Sequence, residues 1–425
     1  MNPNYSNVTP GVGPLSEAKR RLLKAHIGNG VRALKPEQAL VSGRRSDKDQ
    51  LPGSGRQAVR MRELSLRDYP EVSALESKYG LGLKSYEQWS HIWLHNPAYK
   101  QVRERWPIGW VLENQDKQIV GSHANIPLLY QFKGQEIIVA QGRGLVVDIP
   151  YRGYSLWPLM AFWEQNCAAL CLDTSANPRA DQDNTALGAV RVPVGAWDEN
   201  VFWVTNYRGC VSVRLQRRTH ASVSFLVGPL SLPIAAALFF RDKLAAPVLP
   251  RMKEGLDLKF QTGFDDRFDE FWEELKNENP DLLLAVRTRE VLEWHFAYAI
   301  LQNSLWVWTI TRNSRLAAYA IFLKATKFGV TRVTLVDFQA LKGNASLLLP
   351  MISAALARCR KEGIHLLENP GLGFNESGIN QLAPYRVRTG SWCYFYKPAN
   401  RELAQALSNP AAWAPSLYDG DASIL

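Results

Sequence analysis

The order of apolar and polar positions is most informative between residues 145 and 180. Leu145–Val147 is an apolar run that ends at a turn containing Pro150 and Gly153, which predicts a buried strand. Apolar residues at helical spacing then predict a helix from about Leu156 to Ala168. A strand that leads directly into a helix leaves the first helical N–H groups facing the connecting turn. With the helix dipole, these groups predict a phosphate or pyrophosphate site.

A second strand and turn follow that helix. The apolar run Leu170–Thr174 predicts a short strand, and residues Ser175–Ala180 have the composition of a turn. Another short strand is predicted near Val190–Val192. In the first turn, Arg152 adds a guanidinium group, whose planar fork suits phosphate oxygens. The pattern therefore predicts a strand–helix–strand unit with an anion site at its first turn.

These residues resemble the motifs of the GNAT superfamily of acyl-CoA-dependent acyltransferases. Members carry a Val-x-x-x-Tyr-Arg-Gly type of turn before a helix, and Val147 begins that pattern here. After the next strand they carry Asn-Pro-x-Ala, with a Gly eleven residues past the Asn; Asn177 and Gly188 keep that spacing. The resemblance extends over about residues 59–206.

The resemblance implies an acyl-CoA co-substrate and no metal. It implies that strand backbone groups bond the pantetheine amides, that one N–H stabilises the developing oxyanion, and that the turn holds the pyrophosphate. The residues implicated in this way are Leu145, Val146, Val147, Arg152, Gly153, Tyr154, Ser155, Leu156 and Asn177.

The turn departs from the superfamily pattern at two positions where small residues are usual. Ser155 occupies the first and is suited to cap the helix through its hydroxyl. Trp157 occupies the second, where a small residue allows the backbone to approach the phosphates closely. The donor site is therefore predicted with an unusual lining.

The expected proton-transfer groups also differ. Asn184 stands where many members place a Tyr that protonates the departing thiolate, and an amide cannot serve as that acid. Gln141 stands where many members place a carboxylate base. His123, on the predicted strand Ile119–Ile126, is the nearest alternative base, whereas Asp148 is expected to cap or orient the turn. The candidate catalytic positions are His123 and Asn184.

The second half of the chain repeats the layout of the first. Thr331–Phe338 predicts a strand that ends in Val-Asp, and Asn369-Pro follows the next strand as Asn177-Pro does in the first half. An aromatic strand starts 25 residues after each Asn, at Phe202 and at Tyr394. We therefore expect an α+β fold (an α/β mixed sheet) of two tandem GNAT-like domains. Each would be a mixed, mostly antiparallel sheet flanked by helices.

The second unit lacks the donor turn. Its strand-to-helix connection contains Lys342 and Gly343 but no Arg, so we expect a degenerate partner and one bound CoA per chain. Leu305–Ile310 and Ala317–Lys324 predict a hairpin. Aromatic residues at helical spacing in 265–298 are expected in the core: Phe268, Phe271, Trp272, Trp294 and Phe296.

The basic charge is concentrated at one end of the chain. The net charge is +10, and residues 1–60 carry 11 Lys/Arg against 4 Asp/Glu in a Gly/Pro/Ser-rich context. We predict a disordered basic tail over 1–56 with one short helix, a donor domain over 57–228, a linker over 229–260 and a degenerate domain over 261–425. The tail segment Leu15–Leu23 resembles the opening of nonribosomal peptide synthetase modules; a basic solvated helix is the alternative interpretation.

Composition favours a globular protein of the cytoplasm. Hydrophobic residues make up 46% and charged residues 21% of the 425 residues. The longest apolar run, Leu230–Phe240, is too short to span a membrane, and no signal peptide is visible. The five Cys lack metal-ligand spacing. No membrane contact and no nucleic-acid partner are expected.

The function predicted from the sequence is acyl transfer from acetyl-CoA or another acyl-CoA directly to an amine of a small metabolite or sugar intermediate. One alternative is a carrier-protein thioester as the donor, which the tail resemblance suggests. Another is a non-catalytic acyl-CoA-binding protein, which Ser155, Trp157 and Asn184 would suit.

Overall fold

The computed structural model describes most of the chain beyond the basic tail. The described residues are 58–82, 84–176, 180–193, 199–217, 227–245, 254–370, 382–388 and 393–424. The predicted tail, residues 1–56, lies outside them. The site candidate Asn177 also lies outside the described residues.

The strands are numbered in chain order. They are β1 (Arg60–Glu63), β2 (Gly109–Glu113), β3 (Ile119–Phe132), β4 (Gln135–Val147), β5 (Leu170–Ala176), β6 (Val190–Arg191), β7 (Glu199–Val204), β8 (Asp257–Gln261), β9 (Leu284–Ala285), β10 (Leu305–Arg312), β11 (Arg315–Lys327), β12 (Val330–Ala340), β13 (Leu366–Pro370), β14 (Tyr385–Arg388) and β15 (Cys393–Pro398).

The α-helices are numbered in the same way. They are α1 (Tyr69–Lys78), α2 (Tyr86–Leu94), α3 (Pro97–Val102), α4 (Leu156–Glu164), α5 (Asp181–Ala186), α6 (Tyr207–Gln216), α7 (Val227–Ala245), α8 (Arg267–Glu278), α9 (Arg289–His295), α10 (Ala297–Leu301), α11 (Leu348–Lys361) and α12 (Arg401–Leu407).

Two mixed sheets of the same plan organise the described residues. The first has the order β1-β2-β3-β4-β5-β15-β6, with β9 added to β3, and the second has the order β8-β10-β11-β12-β13-β7-β14. Only the fourth and fifth strands of each order, β4 with β5 and β12 with β13, pair in parallel. The prediction of two mostly antiparallel sheets flanked by helices is confirmed, as is the β10–β11 hairpin.

The sixth strand of each sheet comes from the other half of the chain. β7 pairs with β13 in the second sheet, and β15 pairs with β5 in the first. These are the two aromatic strands that the repeat predicts, so their existence is confirmed but their placement within one unit each is wrong. The predicted domains 57–228 and 261–425 therefore do not correspond to the two sheets, because each sheet contains one strand from the other segment.

A helix and a strand occupy much of the predicted linker, residues 229–260. α7 begins at Val227 and runs to Ala245, and β8 begins at Asp257. Pro229 lies in the first turn, where its missing N–H costs no helical hydrogen bond. The apolar run around Ala235–Leu238 has good helix propensity, which carries the helix past Pro233.

One core connects the two units. It contains Trp93 and Ile126 from the first half together with Phe268, Trp272 and Tyr319 from the second. The predicted core aromatics of 265–298 are confirmed, since each is at most 6% exposed. At this interface Arg287 forms a bidentate pair with Asp337, with N···O distances of 2.8 and 3.2 Å. The C-terminal segment joins the pair through Asp419.

Candidate functional site

The two central parallel strands of the first sheet separate part-way along their length. Paired positions run from Val139 with Leu170 to Gln141 with Leu172. Beyond them β4 continues to Val147 on β3, whereas β5 continues to Ala176 on β15. Backbone groups of the two strands therefore border a gap in the sheet, which we call the split. Where two strands separate in this way, backbone groups that no longer pair with each other can bond an extended ligand with amide groups.

A bulge on β4 lies beside the split. The register with β3 shifts between Ser122, which faces Val146, and Ala124, which faces Arg143. Gly144 lies in the bulge with φ of +63°, a conformation that side-chain-bearing residues rarely adopt. β12 has a bulge at the corresponding place, where Ile321 faces Asp337 and Phe322 faces Leu335.

The predicted donor strand and turn lie beside the split. Leu145 is 37% exposed, whereas Val146 and Val147 are buried, with Val147 packed against Tyr151. A 3-10 turn over Ile149–Tyr154 connects β4 to α4. Arg152 is exposed on this turn, and no carboxylate in the described part of the chain forms an ion pair with it. Its guanidinium is therefore available to an anion from solvent.

The start of α4 differs from the predicted capped helix. Ser155 has helical backbone angles, and its side chain makes no cap hydrogen bond. Its amide donates instead to the Arg152 carbonyl at 3.1 Å, because the 3-10 turn already continues into the helix. The predicted helix also ends earlier, at Glu164. The Trp157 ring lies 5.0 Å from the Tyr154 ring, so the two large side chains pack on each other.

Asp148 fixes the turn to the end of α1. Its carboxylate accepts hydrogen bonds from Lys78 Nζ at 2.7 Å and from the Tyr79 hydroxyl at 2.8 Å. The same hydroxyl accepts from the Ile149 amide at 3.1 Å. Asp148 therefore orients the loop, as the sequence predicts. It does not pair with Arg152, whose side chain faces solvent.

His123 and Asn184 are buried against α4, and a Cβ on Gly142, at the start of the split, would lie 3.0 Å from His123 Nε2. His123 is 3% exposed, its ring centroid lies 5.1 Å from that of Phe162, and burial lowers its pKa to about 4. Asn184 is fully buried, and its Oδ1 accepts from Trp163 Nε1 at 3.0 Å. A desolvated imidazole of such low basicity is poorly suited to take a proton from an amine. The catalytic roles considered for these two positions are therefore not supported by their placement.

A cluster of polar side chains occupies the split itself. Gln141 Nε2 donates to the Gly142 carbonyl at 2.8 Å and to Thr174 Oγ1 at 3.2 Å, so its amide bridges β4 and β5. Thr174 Oγ1 in turn donates to Asp421 Oδ1 at 3.3 Å. This chain of contacts brings the C-terminal 3-10 turn Asp421–Ser423 to the split. Residues far apart in the sequence thus meet at one point of the sheet.

Further charged groups complete this set, which we call the split cluster. Glu76 of α1 lies beside the bulge, since a Cβ on Gly144 would be 3.3 Å from Glu76 Oε1. The Arg143 and Lys84 charges act on Glu76, and the Arg143, Glu76 and Asp421 charges act on Lys84. The split cluster comprises Glu76, Lys84, Gln141, Arg143, Asp173, Thr174 and Asp421.

Two members of the split cluster titrate near neutrality. Burial, with the nearby Asp421 carboxylate, raises the pKa of Asp173 to about 7. Burial and the Arg143 guanidinium lower the pKa of Lys84 to about 7. Burial also raises the pKa of Glu76. Groups held near pH 7 beside a cleft are suited to general acid–base chemistry.

Sequence reasoning missed these residues. Asp173 had a weak signal, because a carboxylate directly follows the apolar run Leu170–Leu172. Glu76, Lys84 and Asp421 had none, since only the packing of α1, the loop after it and the C-terminal segment brings them to the sheet.

The corresponding turn of the second unit is filled by the protein's own groups. Lys342 has φ of +58°, and its amide donates to Glu278 Oε2 at 2.6 Å. The β12 carboxylate Asp337 accepts from Tyr319 and Gln339 as well as from Arg287. A carboxylate already bound at the turn competes with any external anion. The two units are therefore chemically unequal.

The protein is similar to solved structures of GNAT-type acyltransferases. A GCN5-related N-acetyltransferase from Anabaena variabilis aligns with a TM-score of 0.49 and 10% identity over 81% of this chain and 73% of its own. N-myristoyltransferase of Saccharomyces cerevisiae with bound myristoyl-CoA aligns with a TM-score of 0.48 and 11% identity over 85% of both chains. A GCN5-related N-acetyltransferase from Kribbella flavida aligns with a TM-score of 0.46 and 10% identity, over 80% and 71%.

Sequence comparison adds no assignment. No protein-family model matches the chain, and no curated protein sequence matches it. Within the described ranges, no three or more His, Cys, Asp or Glu side chains are grouped so that they could hold a metal ion. The helices of the same ranges include none with the length and apolar character needed to cross a membrane.

Proposed function

We propose that the protein transfers an acyl group from acyl-CoA to an amine of a small metabolite at the split of the first sheet. The observation that carries this proposal is the separation of β4 from β5 after Gln141 and Leu172, with titratable groups beside the freed edges. An acyl-thioester arm is extended and carries amides, so a free strand edge can bind it through backbone hydrogen bonds. The motif resemblance of β4 and its turn supports the same ligand.

The donor lies along β4 in this proposal. Leu145, Val146 and Val147 bond the pantetheine arm, and the turn residues Arg152–Leu156 face the pyrophosphate. The exposed Arg152 provides the charge for this contact, since the Ser155 amide is already bonded within the turn. Asn177 is also proposed to contact the acyl-CoA, as the motif resemblance implies.

Asp173 is the proposed base. It is the first residue of β5 beyond the last pair with β4, so its carboxylate lies where the two strands part. The carboxylate takes a proton from the ammonium form of the amine, and the nitrogen lone pair then attacks the thioester carbonyl. The C–S bond breaks as the tetrahedral intermediate collapses, and the second proton that the nitrogen loses goes to the departing thiolate, which leaves as the CoA thiol. Burial and, after it, the Asp421 carboxylate favour the protonated form of Asp173 and raise its pKa to about 7, where a carboxyl can accept and return a proton.

Donor binding is tested by calorimetric titration of acetyl-CoA and longer acyl-CoAs. We expect Arg152→Ala to weaken binding by about 1–3 kcal/mol, because it removes a charge-assisted contact. Arg105→Ala is the matched control, since Arg105 is also an exposed arginine but lies outside the turn. Equal affinities for the wild type and Arg152→Ala would show that the acyl-CoA does not bind at this turn.

The base is tested by the pH profile of kcat/KM over a panel of amines. CoA release is best followed by chromatography, because the five cysteines of the chain would react with a thiol reagent. The wild type should gain activity as pH rises through about 7, where Asp173 loses its proton. Asp173→Asn should lower the rate by roughly 100-fold or more and abolish this rise of activity with pH, the limb of the profile near about pH 7.

Lys84→Met is the companion variant, since the pKa of Lys84 also lies at about 7. We expect it to change the rate but to keep the limb. If Lys84→Met instead removes the limb and Asp173→Asn keeps it, Lys84 is the base. Tight acyl-CoA binding without CoA release for any amine would make the protein a binding protein.

A further inference from the structure

Helix α7 buries only a narrow stripe of its surface. The stripe contains Val227, Ser231, Ala235 and Asp242, whose spacing of four and seven residues places them on one face. The remaining surface is largely apolar, and its large exposed side chains are Leu230, Leu232, Ile234, Phe239, Phe240 and Leu244. Phe240 is 63% and Leu244 89% exposed. A contiguous apolar surface of this kind marks an interaction site.

The orientation of α7 is fixed by buried polar contacts. Asp242 accepts hydrogen bonds at 2.8 Å from Tyr207 of α6 and from Tyr385 of β14. Arg241 donates to the other carboxylate oxygen at 2.7 Å. These bonds hold one face of the helix against the second unit. The apolar face, with Phe240 and Leu244, is therefore held outward.

The exposed charges around this face are cationic. α6 exposes Arg208 and Arg214, and α7 exposes Arg241 and Lys243. Asp242 is the only acidic residue within these two helices, and it is buried and paired with Arg241. Apolar side chains bordered by cations suit a surface that offers both hydrocarbon and negative charge.

A second apolar group lies beside α6. Phe328, at the tip of the β11–β12 hairpin, is 73% exposed. Its ring lies 5.2 Å from the guanidinium of Arg217, which directly follows α6. Lys327 precedes Phe328 in the same tip. The combination of an exposed aromatic ring with neighbouring cations thus occurs on both sides of α6.

We propose that α7 lies on an anionic lipid surface and attaches the protein to it. A second copy of the chain fits less well, because pairing these faces would bring Arg241 and Lys243 of each copy together without exposed acidic residues on α6 or α7 to offset them. The sequence predicted no membrane contact from the shortness of Leu230–Phe240. Length limits a helix that spans a bilayer, but not one that lies in its surface.

The test uses the full chain and co-sedimentation with vesicles. We expect binding to phosphatidylcholine vesicles that contain phosphatidylserine, much weaker binding to phosphatidylcholine alone, and a decrease with added salt. Replacing Phe240 and Leu244 together by Asp should reduce binding roughly tenfold or more. Lys243→Gln should reduce it about fivefold, on anionic vesicles only.

Leu301→Asp is the matched control, because Leu301 is 73% exposed on a different helix, α10. It should leave vesicle binding unchanged, and circular dichroism should show all variants folded. The proposal is overturned if the wild type does not bind anionic vesicles, or if the Phe240/Leu244 variant binds them equally well. It is also overturned if light scattering shows a dimer that this variant dissociates, because a second copy is then the partner.

Discussion

Replacing Arg287 by Met tests whether the buried ion group holds the two units together. The side chains of Arg287 and Asp337 are fully buried, and that of Asp419 is 6% exposed. Arg287 donates to both carboxylates and, at 2.6 Å, to the Ala285 carbonyl. Methionine has a similar length but no charge, so the variant leaves two buried carboxylates without their common cation.

The expected loss of unfolding free energy is about 3–5 kcal/mol at neutral pH, as for other buried pairs that lose one partner. Urea denaturation followed by tryptophan fluorescence measures it, since the core contains several of the 14 Trp. Arg289→Met is the control. Arg289 also contacts two carboxylates, Asp266 and Glu293, but it is 41% exposed and solvent screens its ion pairs, so its loss should cost much less than the loss of Arg287.

The loss should also depend on pH. Burial raises the pKa of Asp419 to about 6, above its ordinary 3.8. Between these values the folded protein keeps a proton that the unfolded chain has released, so this group's contribution to stability falls as pH rises. Without Arg287 the folded state holds protons over a wider range. The difference between variant and wild type should therefore be smallest near about pH 4 and grow toward about pH 7.

A loss at neutral pH as small as that of the Arg289 control would refute this reasoning. It would mean that water or a rearranged side chain compensates the carboxylates, and that the ion group does not hold the C-terminal segment. A large loss that is independent of pH would also contradict it, because the cost would then come from packing alone.

Two further predictions concern the two ends of the chain. Equilibrium titration should give about one acyl-CoA per chain. Lys342→Ala should leave this stoichiometry unchanged, because Glu278 already occupies the second turn. Two equal sites, or loss of binding in this variant, would show that the donor site has been placed in the wrong unit. Deleting residues 1–55 should leave the melting temperature nearly unchanged, because a polar basic segment buries little apolar area. A fall of many degrees would show that the tail packs on the core.

The sequence by itself determined the local elements. Apolar periodicity and turn residues predicted β4, its turn and α4, and the matching offsets of Asn177 and Asn369 predicted two units of one plan. These signals are local, since each depends on residues within one helix, strand or turn. The prediction failed where local signals conflict, as at Pro229 and Pro233, which indicated a linker although the helix propensity of Ala235–Leu238 continues α7 through this stretch.

Only the tertiary structure decided which strands share a sheet and which side chains meet. The exchange of β7 and β15 between the two sheets depends on long-range pairing, which the apolar pattern of a single strand does not specify. The split cluster draws Glu76, Asp173 and Asp421 from three distant segments, and burial there raises the pKa values of Glu76 and Asp173. His123 appeared available in a strand pattern, but the packing of Phe162 against it removes it from solvent. Residue type determines what chemistry a side chain can do, and burial and neighbours determine whether it does it.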